Sequence, residues 1–75
     1  MKNEKEFYVI MQDIAEPYLH YYLTHNLFYT SYDISDSFQD NCIFTGGHLK
    51  EIKQYLEKDS KEYNYTYEIR KIEEE

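Results

Sequence analysis

Seventy-five residues with 8 basic and 15 acidic side chains carry a net charge of −7 at neutral pH. That balance argues against nucleic acid as a direct partner, because affinity for a phosphate backbone rests on Lys and Arg. No apolar run approaches the roughly twenty residues a membrane span needs, and no basic-then-apolar leader is visible, so the chain reads as a cytoplasmic protein.

Met1–Lys5 is polar and reads as a frayed end. Phe7–Met11 reads as a strand, with Phe7, Val9 and Met11 on one face and Tyr8 and Ile10 on the other. Gln12–Pro17 carries Asp13 and Pro17, both compatible with a turn, and reads as a connection. Tyr18–Leu27 fits two descriptions. As a helix, Pro17 sits at its first turn and Leu19, Tyr22, Leu23 and Leu27 form one stripe; as a strand, Leu19, Tyr21 and Leu23 alternate with Tyr18, His20 and Tyr22. Tyrosine density and brevity favour the strand. Leu27–Tyr32 reads as a further strand, with His25-Asn26 as its turn. In Asp33–Asn41 the Asp, Ser and Asn side chains compete for their own backbone, so this stretch reads as a loop anchored by Ile34 and Phe38.

Ile43–Leu56 is the stretch the rest of the chain is built around. A short buried strand at Cys42–Phe44 runs into a helix on which Leu49, Ile52 and Leu56 share one face. Thr45 is the candidate N-cap. Gly46 and Gly47 weaken the first turn by roughly 1 kcal/mol each, and His48 stands where a capping-box acid would be. Lys58–Asn64 reads as a charged connection, Tyr65–Ile72 as the closing strand with Tyr65, Tyr67 and Ile69 on one face, and Glu73–Glu75 as an acidic tail. The expected fold is one α+β domain over residues 1–75, with a mostly antiparallel sheet of four or five short strands and one helix on one face. The helix is expected to bury Leu49, Ile52 and Leu56 against Val9, Ile43, Phe44 and Ile69.

Chemistry is sparse. The only cysteine, Cys42, has no disulfide partner, which fits a reducing compartment and a small buried hydrophobe. His20, His25 and His48 lack the close pairing of metal ligands, and Asp33, Asp36 and Asp40 lack the alternate spacing and glycine of a calcium loop. Ser35, Ser37 and Cys42 have no base at a recognisable spacing, and Gly46-Gly47 is short of a phosphate loop. The sequence therefore reads as non-enzymatic, with no metal and no cofactor.

Surface is what remains. Residues 1–5 carry +1, residues 6–49 carry −6 with no Lys or Arg among them, and residues 50–75 carry −2. A solvated acidic face accounts for this bias in the plainest way. The ten tyrosines suit half-buried strands, and equally suit interface anchors. An acidic, aromatic patch meets a basic protein surface with long-range attraction. The candidate partner-binding residues are Tyr29, Tyr32, Asp33, Asp36 and Asp40, the carboxylates standing in for phosphates and the rings stacking at the rim.

The pieces Phe7-Tyr8-Val9-Ile10, Tyr18-Leu19-His20, Phe28-Tyr29-Thr30 and Ile43-Phe44-Thr45 match the order of a loose pattern, which Leu49, Ile52, Leu56, Tyr67-Glu68-Ile69 and Ile72-Glu73-Glu74 extend. Over nearly its whole length the chain resembles the small acidic accessory proteins of bacteriophages of low-GC Gram-positive bacteria. Gly46-Gly47 departs from the acidic, alanine-bearing helix start usual there. The resemblance implies a strand meander, one helix and a last strand ending in acids. Together with the charge it implies an inhibitor of the anti-CRISPR or DNA-mimic type, whose partner is a basic host enzyme that handles nucleic acid. The alternative is a structural or regulatory accessory protein, homodimeric through an exposed tyrosine face, with no enzyme target.

Overall fold

The computed structural model describes residues 6–72. The expectations for Met1–Lys5 and Glu73–Glu75 lie outside the described residues. The chain forms strand β1 (Phe7–Asp13), β2 (His20–His25), β3 (Tyr32–Ser35), helix α1 (Leu49–Tyr63) and β4 (Tyr65–Lys71). The sheet has the order β3-β2-β1-β4, and each neighbouring pair is antiparallel. This is the expected small α+β fold.

β1 is an interior strand, flanked by β2 and β4, and its strict alternation buries one face. Phe7, Val9 and Met11 are buried toward α1, while Tyr8, Ile10 and Gln12 are only half-buried on the other face. Leu23 of β2, Phe44, and Ile52 and Leu56 of α1 complete the core. Leu49 and Ile69 pack half-buried at its edge rather than enclosed, and Ile43 is half-buried outside the core cluster. The sequence placed them inside because an apolar face shows direction but not depth.

Two turns shape the β1–β2 connection. Asp13 Oδ1 accepts the backbone N–H groups of Ala15 (2.7 Å) and Glu16 (3.3 Å), and Leu19 N–H donates to the Glu16 carbonyl across Pro17. Tyr18–Leu27 resolves as a strand from His20 to His25, as its tyrosines favoured.

Leu27–Ser31 is a turn, not a strand, and the strand is Tyr32–Ser35, most of it inside the expected loop Asp33–Asn41. The Asn26 side chain organises this turn, accepting from Thr30 N–H at 2.9 Å and donating to Thr30 Oγ1 at 2.7 Å. Tyr29 adopts φ 58° within it. A non-glycine residue there costs on the order of 1 kcal/mol or more, so local β-propensity loses to side-chain bonds formed by Asn26. Phe38 does anchor the following loop, packing edge-on against Tyr8 (5.3 Å) and Tyr22 (5.4 Å) on the sheet face away from α1. Ile34 lies in β3 rather than in a loop, opposite Leu23, and is 51% exposed.

The expected Cys42–Phe44 strand reduces to a single bridge, Phe7 to Phe44. Phe44 N–H donates to the Phe7 carbonyl at 2.8 Å, and the reverse bond is 3.0 Å. Cys42 is buried and unpaired, at the end of a 3-10 turn Asp40–Cys42 that packs on β2. Thr45 makes no side-chain cap; a second 3-10 turn, Gly46–His48, leads into α1 instead. The helix also runs through the expected connection Lys58–Asn64 to Tyr63. It stops at Asn64, whose φ of 58° is a left-handed terminus that Asn tolerates, with its N–H bonded to the Ser60 carbonyl.

Candidate functional site

Because α1 continues to Tyr63, its C-terminal half overhangs the end of the sheet near Asp13. A groove of about 540 Å³ opens there between helix and sheet. Its apolar floor is Met11, Leu23 and Ile34, and its walls hold Tyr21, Tyr32, Tyr55, Tyr63 and Tyr65. Among the described residues, three carboxylates line it, Asp13 from β1, Asp33 from β3 and Asp59 from α1, and no Lys or Arg does.

The helical repeat explains one wall. Tyr55, Asp59 and Tyr63 are four residues apart and therefore stand in one row along α1. The two-residue alternation explains another: Tyr21 and Leu23 point the same way from β2, toward the core side. Tyr65 Oη donates to Asp59 Oδ2 at 2.7 Å, tying the start of β4 to the helix. Tyr32 and Tyr55 pack at 4.7 Å between ring centres.

Burial, then the bond to Asp59, pushes the Tyr65 phenol far above its usual range. Burial first, then the Asp59 charge, raises Tyr55. The Tyr32 hydroxyl is buried without a hydrogen-bond partner among the described residues. Burial and the neighbouring Glu51 charge raise its pKa, although no contact between the two meets hydrogen-bond geometry. A raised phenol favours the neutral, folded form. Its contribution is fully present below the ordinary value of 10.0 and is lost as pH rises above it toward the folded value. The denaturant midpoint is therefore expected to hold from about pH 8 to 10 and to fall by about pH 11. Tyr65→Phe should soften that fall, and an equally steep fall in the variant would show that Tyr65 does not govern it.

The groove takes in only part of the expected partner surface. Asp33 and Tyr32 line it; Asp36, Asp40 and Tyr29 do not. Asp36 sits in the bend after β3 and Asp40 opens the first 3-10 turn, both exposed. Tyr29 is not free to stack on a partner. Its ring lies between the imidazoles of His25 (3.9 Å) and His48 (4.1 Å), nearly parallel to both. His25 is itself held by the Asn26 carbonyl at Nδ1 (2.7 Å) and the Ile43 carbonyl at Nε2 (2.8 Å). Tyr32 also packs against Phe44 and Tyr55, so it forms a wall rather than a rim.

Asp13, Asp59, Tyr21, Tyr55, Tyr63 and Tyr65 enter the site unanticipated. The four-residue spacing of Tyr55, Asp59 and Tyr63 is the signal that would have found half of them, had the helix been carried past Leu56.

Among the described residues, no three His, Cys, Asp or Glu side chains come together in a way that could hold a metal ion. No helix there is long and apolar enough to cross a membrane. The fold and groove define a small α+β protein with an acidic, tyrosine-walled cleft. Set against family models, curated proteins and solved structures, the chain matches none of them.

Proposed function

We propose that this protein is a protein-binding inhibitor that engages a basic, nucleic-acid-binding host enzyme through its acidic, tyrosine-rich side, as its resemblance to acidic phage accessory proteins implies. The observation that carries this reading is the groove, with three carboxylates, five tyrosines and no positive charge in its lining. Such a lining suits a Lys or Arg side chain, whose cation gains from carboxylates and from tyrosine faces within about 6 Å. The absence of Lys and Arg across residues 6–49 extends the negative field over β1, β2, β3 and their loops. A field of one sign speeds association with a basic cleft.

The test is capture from bacterial host lysate followed by competition with duplex DNA. Basic nucleic-acid enzymes should be enriched, and DNA should displace them. Enrichment of virion or replication components that ignore added DNA would replace this reading with a second one, a structural or regulatory accessory protein without an enzyme target. The edge of β4, unpaired among the described residues, favours that second reading.

A further inference from the structure

Among the described residues, β4 is the seven-residue edge of the sheet, next to β1 alone. The bonds made by β1 fix which way the backbone of β4 faces. Phe7 spends its N–H and carbonyl on Phe44, on the side of β1 away from β4, while Ile72 N–H reaches the Glu6 carbonyl. With Phe7 paired to Lys71, Val9 to Ile69 and Met11 to Tyr67, antiparallel alternation makes these the non-hydrogen-bonded pairs. Tyr65, Tyr67, Ile69 and Lys71 therefore turn their N–H and carbonyl groups outward, along an edge with no proline, glycine or bulge to blunt it.

We propose that this edge pairs with β4 of a second copy, antiparallel about a two-fold axis at Ile69, to form a continuous eight-stranded sheet. Charge selects that register. Centred on Ile69, Glu68 of each copy stands opposite Arg70 of the other, in the closer non-hydrogen-bonded positions about 4.5 Å apart at Cα. Centred one residue back, Glu68 meets Glu68 and Arg70 meets Thr66, so like charges face each other and no ion pair forms. Centred on Tyr67, Glu68 meets Thr66 and no ion pair forms. Within one copy Arg70 Nη2 already reaches Glu68 Oε1 at 3.1 Å, and both are exposed on the sheet face away from α1, so two copies build a four-charge cluster there. The other edge cannot do the same. β3 has four residues and brings only Asp33, with Asp36 just beyond, so self-pairing would set like charges together.

The measurement is sedimentation equilibrium on the full chain, over a wide concentration range. Wild type should show a concentration-dependent dimer. Glu68→Arg alone and Arg70→Glu alone should each weaken it by roughly tenfold or more, since each reverses two cross-strand pairs. Mixing the two single variants should restore association, because each then offers the charge the other lacks, and the double swap should restore the homodimer. Circular dichroism melts keep folding in view, both residues being exposed. A strictly monomeric wild type, or a dimer indifferent to both reversals, would overturn the proposal.

Discussion

Phe44→Ala is expected to lower stability by about 3–5 kcal/mol, enough to leave much of the chain unfolded at ambient temperature. Phe44 has no solvent exposure. Its ring stacks on Phe7 at 5.4 Å and touches His25 (4.6 Å), Tyr29 (6.0 Å) and Tyr32 (6.2 Å). Truncation empties the point where β1, the Asn26–Ser31 turn and the entry to α1 meet, and the backbone bridge to Phe7 then stands beside a cavity. A domain this small holds little stability in reserve. Leu56→Ala, at an equally buried but smaller side chain, should cost about 2–5 kcal/mol. Leu27→Ala, at 81% exposure on the turn, should stay within about 0.5 kcal/mol and serves as the control. Urea midpoints for the three variants decide the matter: a Phe44→Ala protein as stable as Leu27→Ala would remove Phe44 from the core.

Asp33→Lys is expected to slow association with the basic partner by an order of magnitude or more at low salt, with the loss shrinking at high salt. Asp33 lines the groove beside Tyr32 and Tyr55, and its Oδ1 accepts only the N–H of Ile34, at 2.8 Å. An ammonium there reverses the local sign where a Lys or Arg of the partner would enter. Folding should be little changed, because the residue is exposed on a short edge strand. Asp36→Lys and Asp40→Lys alter the long-range field but not the groove, so each should cost less than Asp33→Lys. Surface plasmon resonance at two ionic strengths, on the captured partner, gives the comparison. Equal losses at the three positions would assign the effect to net charge, and no loss at Asp33 would take the groove out of binding.

What the sequence by itself determined were features marked by a short apolar repeat. The two-residue alternation of Phe7, Val9 and Met11, and of Tyr65, Tyr67 and Ile69, marked the first and closing strands, since a strand turns successive side chains to opposite faces. The spacing of Ile52 and Leu56 marked the helix and its buried side. The negative charge of residues 6–49 needed no structure at all.

Tertiary structure alone decided what depends on partners far apart in the chain. Tyr29 had the composition of a strand residue, yet the imidazoles of His25 and His48 close on its two faces and the Asn26 side chain holds its turn. Lys58–Tyr63 looked like a connection because its charges carry no apolar stripe; it is helix because Leu56 fixes the preceding turn in the core and Asn64 ends the helix in a left-handed conformation. The groove is assembled from Asp13, Asp33 and Asp59, which no local spacing relates. They converge only because β1 pairs with both β2 and β4 while α1 crosses back over the same face, and side-chain charge on three separate elements becomes one site through that packing.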